Sequence, residues 1–207
     1  MEDQADQYRT LVRPSEGALF KDRGSKFYGY AFPVTNEEQV KERLEEVKKE
    51  HYNARHWCYA WQLGKRYEQY RANDDGEPNN SAGMPIYGQL QSYHLTNTLV
   101  VVVRYFGGTK LGVGGLIQAY KTAAQYALET AKIVTRTIDE NFILTFGYPE
   151  MDLVMRTLKD EKIEIVEQKM HLECTFHIAV REAEADRIFE LFSSMYKVTI
   201  KKKEENT

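Results

Sequence analysis

The chain is poor in cysteine. Only Cys58 and Cys174 occur in 207 residues, far apart and without a C-x-x-C spacing, which excludes a disulfide framework and a zinc-finger site. A reducing compartment suits both thiols. Long apolar runs are missing too, since no window approaches the roughly 18–20 consecutive apolar residues of a membrane-spanning helix. The opening MEDQADQYRT is too polar and acidic for a signal or transit peptide, so the expected location is cytoplasmic, with no membrane partner. Nor is there a large excess of one charge: 28 Lys+Arg stand against 31 Asp+Glu, a net charge of −3. That excludes a protein coated in positive charge, so any nucleic-acid contact must be local. What remains is an ordinary soluble composition, 42% hydrophobic and 29% charged. The length suits one large or two small domains, and disorder and fibres are excluded.

The segment Lys26–Val34 is aromatic-rich and predicts a strand. Thr35 with Glu38 forms a T-x-x-E capping box, and Val40, Leu44 and Val47 give one apolar helical stripe. His56–Leu63 and Arg66–Ala72 read as two short strands, with Gly64-Lys65 between them as a two-residue type II′ turn. A polar stretch, 73–81, precedes a predicted helix over 82–94. Thr98–Phe106 is nearly continuous in β-branched and aromatic residues, as expected of a central strand buried on both faces. It runs into GGTKLGVGG at 107–115, and Leu116–Lys132 reads as a long helix lying on a sheet.

Beyond Ile138 the order is compact: strand 139–146, a helix entered at Pro149, two strands, helix 182–196 and an edge strand in 197–203. In the second of the paired strands Leu172, Cys174, Phe176, Ile178 and Val180 alternate with Glu173, Thr175, His177 and Ala179. This is the βαββαβ order of a ferredoxin-like domain. Its layout predicts helices on one face of the sheet and the other face open or used for contact.

Charge resolves by region. Residues 1–135 carry 17 basic and 16 acidic residues, and residues 136–207 carry 11 and 15. Between 78 and 132, Arg104, Lys110, Lys121 and Lys132 face the single Glu129, while Asp74, Asp75 and Glu77 lie just before. A buried strand ending in a glycine loop that opens a helix can present backbone N–H groups to an anion. Gly107, Gly108, Gly112, Gly114 and Gly115 would ease that approach, and Lys110 adds a cation. Neither GxxxxGK[ST] nor GxGxxG is present, which argues against P-loop nucleotide hydrolysis. The glycines are equally those of tight turns and close helix–strand packing.

Asp74, Asp75 and Glu77 could hold a hard cation or serve as acid and base, but they lack EF-hand spacing and Asp75-Gly76 also makes a turn. If that loop folds toward the glycines, its carboxylates could pair with Arg71, Arg104 or Lys110. His56 and Cys58 share one strand face, with no third group for nucleophilic catalysis. His171, Cys174 and His177 cannot converge on one ion, because the strand period puts Cys174 opposite both histidines. Tyr105 and Phe106, beside Arg104, could stack a base.

The runs NDDGEPNNSAGMPI (73–86) and VVVVRYFGGTKLGVGGLIQAY (100–120), with GSKF (24–27) and HWCYAW (56–61), resemble the signature blocks of the IMPACT / YigZ family. The resemblance spans about residues 20–132. It departs where the family usually has Ser-Gly-Thr and this chain has Asn79-Asn80-Ser81. It implies an α+β chain: a ribosomal protein S5 domain 2-like N-terminal domain, placed at 1–135, and a ferredoxin-like C-terminal domain, placed at 136–207. The pair also resembles domains IV and V of elongation factor G, which by analogy implies contact with the ribosome or structured RNA and a role in regulating translation. Eukaryotic relatives restrain a translational stress kinase through an RWD domain. None is legible here, so that role is not carried over.

The leading expectation is a non-enzymatic protein in which Lys26, Arg71, Arg104 and Lys110 meet phosphates, Tyr105 stacks, and the acidic loop orders the basic side chains. No cofactor or metal is expected. The rival is a hydrolase or transferase acting on a small phosphorylated or nucleotide ligand, with Asp74, Asp75 and Glu77 holding an ion or acting as base. A third reading is an adaptor whose acidic C-terminal domain meets a basic protein.

Overall fold

The computed structural model of the protein describes residues 6–203. The chain falls into two units: residues 8–136 form one, and Asp6 and Gln7 join residues 137–203 in the other. The second unit thus recruits two residues that the sequence reading places in the N-terminal domain. The cause is local, since the Asp6 carboxylate takes two hydrogen bonds from the Arg181 guanidinium, at 2.5 and 2.9 Å. That bidentate pairing holds the Asp6 carboxyl below its ordinary pKa.

The elements that lie in the first unit, apart from the end residues Gln7 and Thr137, are β1 (Gln7–Leu11), β2 (Ala18–Asp22), β3 (Ser25–Pro33), α1 (Glu37–Glu50), β4 (His56–Leu63), β5 (Gln69–Asn73), α2 (Gly83–Ser92), β6 (Thr98–Tyr105), α3 (Gly112–Glu129) and β7 (Ile133–Thr137). Five strands make an antiparallel sheet in the order β2-β3-β6-β4-β5. The apolar run of β6 accordingly lies at its centre. Val100 and Val102 pack with α2 and α3 on one face, and Leu99, Val101 and Val103 pack with α1 on the other. β3 and α3 approach so closely that a Cβ on Gly29 would collide with the Ala123 carbonyl oxygen. β1 and β7 form a separate two-stranded sheet.

Three local expectations shift. Asn36, not Thr35, caps α1: its side chain accepts from the Gln39 N–H at 2.9 Å, while the Gln39 side chain accepts from the Thr35 N–H at 2.9 Å. The cap lies one residue along, and the returning bond reaches the residue before the cap and not the cap itself. The β4–β5 connection is also longer than a two-residue turn. The last pair is Leu63 with Gln69, because Gly64 is tied to the neighbouring segment by Asn97 and Thr96 and so cannot close a tight hairpin. Finally, α3 starts at Gly112, so three of the expected loop glycines belong to its first turn.

The second unit contains β8 (Asp139–Phe146), a 3₁₀ turn at Tyr148–Glu150, α4 (Met151–Asp160), β9 (Glu164–Met170), β10 (Cys174–Arg181), α5 (Glu182–Ser193) and β11 (Val198–Lys202). Its sheet order is β11-β8-β10-β9, antiparallel throughout, which is the ferredoxin-like arrangement. Phe142, Leu144, Phe176 and Ile178 pack with Val154, Leu158, Ile188 and Phe192 of the two helices. Leu172 is 97% exposed in the β9–β10 turn and does not join the alternating strand. On the open face His177 and Lys169 already meet Glu167, at 3.0 and 2.9 Å. The molecule is α+β with two domains, and among the described residues no helix is long and apolar enough to cross a membrane.

Candidate nucleic-acid interface

The end of the sheet where β6 runs into the glycine loop gathers most of the sequence-predicted residues, but the pleat divides them. Arg104 and Tyr105 are neighbours in β6 and therefore point to opposite faces. Arg104 faces α3. Its guanidinium meets Glu77 at 2.7 Å, with both side chains buried, and the Tyr120 hydroxyl donates to the same carboxylate oxygen at 2.8 Å. The rings of Phe27 and Phe106 lie over the guanidinium, each centroid 5.6 Å away. Burial drives the Tyr120 phenol far above its usual pKa, so it stays a donor. Arg104 is thus an internal strut with its charge answered by Glu77. It is not a surface phosphate ligand, which corrects the sequence expectation.

The acidic run is likewise spent on structure. Asp74 accepts from the backbone N–H groups of Asn80, Ala82 and Gly83 at 2.8, 2.9 and 2.8 Å, which secures the start of α2. Asp75 takes the Trp57 N–H at 2.7 Å, and its own carbonyl bonds His56 Nδ1 at 2.9 Å. The Cys58 thiol donates to the Asp74 carbonyl at 2.9 Å, and burial raises its pKa well above the usual thiol value. His56 and Cys58 therefore anchor this loop instead of pairing with each other. Among the described residues no three His, Cys, Asp or Glu side chains gather as metal ligands. The three acids have separate structural partners, which removes the basis for reading them as a shared ion site or base.

Arg71 is also displaced. It sits on the edge strand β5 opposite Trp61, which is opposite Leu99. That is five positions along β6 from Arg104, or about 17 Å at the strand rise. It does not join the glycine-loop end.

Lys26 and Tyr105 do come together. They are register partners on β3 and β6, on the face that carries α1. With Gly24, Tyr28, His51 and Phe106 they line a cleft of about 330 Å³. His51, at the end of α1, is 8% exposed. Its Nε2 lies 2.6 Å from the Tyr30 hydroxyl and its Nδ1 lies 3.1 Å from the Tyr105 hydroxyl. Burial holds the His51 pKa below its ordinary value despite the nearby Glu50, and burial raises the Tyr105 phenol. The sequence reading misses His51 and Tyr28. The alternation Lys26, Tyr28, Tyr30 along one strand face was the signal available for Tyr28, whereas His51 depends on where α1 ends.

The His51 shift has a testable sign. Near pH 6.5 the unfolded chain binds more protons at this residue than the native chain, so native stability falls as pH drops below about 6.5 toward the lowered native value. Both tryptophans, Trp57 and Trp61, lie in the N-terminal domain and report its unfolding. The urea midpoint followed by their fluorescence is expected to fall from pH 7 to 5.5 in the wild type and to fall less in His51→Gln. Equal slopes in the two proteins would remove His51 as the source.

The glycine loop is fixed from below and open above. Gly107 donates to Ser25 Oγ at 3.2 Å and packs directly on the backbone of Gly24. Gly108 and Gly112 have φ of +88° and +72°, which only glycine adopts without strain. A Cβ on Gly108, Gly112 or Gly114 would meet nothing within 4 Å. Gly107–Lys110 are exposed, and α3 starts with no acid in its first turn and no side-chain cap. The helix start therefore leaves amide donors for solvent or an anion. Lys26 and Lys110 are both exposed.

This pairing of a glycine-loop α+β domain with a ferredoxin-like domain defines a two-domain class, and comparison with known proteins gives its family. Residues 23–128 match the Impact N-terminal domain. The IMPACT family member YvyE of Bacillus subtilis (strain 168) is 32% identical over 188 residues, covering 91% of this chain and 86% of that protein. An IMPACT family member of Haemophilus influenzae is 32% identical over 185 residues, covering 87% and 88%. The crystal structure of a hypothetical protein superposes with a TM-score of 0.69 at 25% identity, over 97% of this chain and 99% of that one. The chain belongs to the IMPACT family.

Proposed function

We propose that this protein binds ribosomes or structured RNA through the glycine-loop end of its N-terminal domain and acts there in the regulation of translation. One observation carries the reading. An exposed loop, open to close backbone approach and leading into an uncapped helix start, lies beside a cleft that presents Lys26 and aromatic rings. Phosphates suit the loop amides, Lys110 and Lys26, and rings suit unpaired bases. The resemblance of the domain pair to domains IV and V of elongation factor G supports the same partner. The enzymatic alternative loses its support because Asp74, Asp75 and Glu77 are committed to backbone donors and to Arg104.

Sucrose-gradient fractionation of tagged protein tests this. Migration with ribosomes or ribosomal subunits is expected in low-salt lysate and loss to the top of the gradient in high salt, because released counterions drive phosphate binding. Migration at the top under both conditions, together with no binding of purified structured RNA at low ionic strength, would refute it.

A further inference from the structure

The cleft on the α1 face is a more selective feature than a phosphate-binding loop needs. Among the described residues Lys26 is its one lysine, arginine or carboxylate, and the rest of the lining is Gly24, Tyr28, His51, Tyr105 and Phe106. A pure phosphate site would carry more donors and less aromatic surface. Phe106 is 57% exposed although it is large and apolar, and it sits at the point where β6 gives way to the glycine loop. One of its faces is occupied, since the Arg104 guanidinium lies 5.6 Å from its centroid. A cation under one face leaves the ring positioned rather than free to swing, and a positioned ring is what base stacking requires.

The floor of the cleft is rigid for an independent reason. Tyr105 is held by His51, His51 by Tyr30, and Tyr28 packs edge-on to Tyr105 with centroids 5.8 Å apart. The Tyr105 ring is therefore held in place along the cleft, on the strand next to Lys26 and in register with it. A held tyrosine, an exposed lysine and a ring around about 330 Å³ match one nucleotide, with its base on the ring and its phosphate on the cation. The volume lies at the small end of the range for ligand pockets. A paired base cannot use such a cleft, because its faces are already stacked within the duplex.

We propose that this cleft receives a single unpaired nucleotide, with the base stacking on Phe106, the Tyr105 hydroxyl hydrogen-bonding its polar edge or sugar, and Lys26 meeting its phosphate. This rests on the RNA-binding reading and deepens it, since it makes the partner an unpaired RNA segment and not a duplex. The same chemistry exists in a free mononucleotide, so the test must separate the two sources.

The experiment uses the full chain and three probes: a ten-nucleotide single-stranded RNA carrying one 2-aminopurine, the same strand annealed to its complement, and adenosine monophosphate. The single strand is expected to bind at least about tenfold more tightly than the duplex, with 2-aminopurine fluorescence quenched on binding. Phe106→Leu keeps an apolar cover over Arg104 but removes the ring. It is expected to weaken the single strand at least about fivefold, the lower end of the effect of losing one base stack. The quench should disappear while the salt dependence stays unchanged. Lys26→Ala should instead lower the salt slope by about 0.7, and Tyr105→Phe should weaken binding with the quench kept. Adenosine monophosphate competing at concentrations comparable to the strand would assign the cleft to a free nucleotide and overturn the RNA form of the proposal. Equal binding of duplex and single strand, or an unaltered quench in Phe106→Leu, would overturn the cleft while leaving ribosome association standing. Failure of every RNA to bind would count against the broader reading.

Discussion

Replacing Glu77 by alanine is expected to destabilise the N-terminal domain by about 3–5 kcal/mol, the cost of stranding a buried charge by removing its partner. Arg104 would keep its place between Phe27 and Phe106 with its counter-charge gone, and the Tyr120 hydroxyl would lose its acceptor. Tyr120→Phe removes only one hydrogen bond and should cost about 1 kcal/mol. The paired replacement Glu77→Leu with Arg104→Met removes both charges together, and is expected to recover most of the stability lost in Glu77→Ala. Urea unfolding followed by the fluorescence of Trp57 and Trp61 measures all four proteins. A small loss in Glu77→Ala would mean that Arg104 can reach solvent, which would reopen it as a phosphate ligand.

The second large effect is expected at Gly107. A Cβ there would overlap the backbone of Gly24 and the Ser25 nitrogen. No rotamer relieves a backbone clash, so Gly107→Ala is expected to cost about 3 kcal/mol or more. The other loop glycines separate cleanly from it. Gly108→Ala meets open space but keeps a left-handed φ, at a cost of about 1–2 kcal/mol. Gly114→Ala meets open space inside the first turn of α3 and is expected to be neutral or stabilising by up to about 1 kcal/mol. Similar melting temperatures for Gly107→Ala and Gly114→Ala would contradict the packing described for the loop.

These contrasts show how far the amino-acid pattern reaches. β6 was legible because its residues are apolar at both parities, a pattern suited to a strand covered on both faces. The ferredoxin-like order was legible because β8, β10 and α5 each carry one clean period. The start of α3 was not, because Gly112, Gly114 and Gly115 read as a loop. In the fold, Leu111 and Leu116 are buried on either side of them and carry the first turn despite the glycines.

At the glycine-loop end, Lys26 and Tyr105 were singled out by type and spacing, and the structure makes them register partners. Arg104 was misread for a reason that no spacing could reveal. Whether a cation is free or answered depends on where Glu77 lands, 27 positions away in sequence. The period-two alternation did contain the warning that Arg104 and Tyr105 face opposite ways. Arg71 failed similarly, since its distance from the loop depends on strand register, which in turn depends on the length of the β4–β5 connection. His51 and Tyr30 were hidden because their partnership joins the end of a helix to the middle of a strand.

In the proposed function the glycine-loop end of the N-terminal domain meets RNA phosphates through Lys26 and Lys110, while Arg104 supports the site from within. Affinity of purified ribosomes for the wild type and for Lys26→Ala/Lys110→Ala, measured between 50 and 200 mM salt, tests it most directly. Both lysines are exposed, so the double variant should keep the wild-type unfolding midpoint. With two phosphate contacts removed, the slope of log affinity against log salt is expected to become shallower by about 1.4. An identical slope in the two proteins, with stability unchanged, would place the contact elsewhere on the molecule and rule out the two lysines as phosphate ligands.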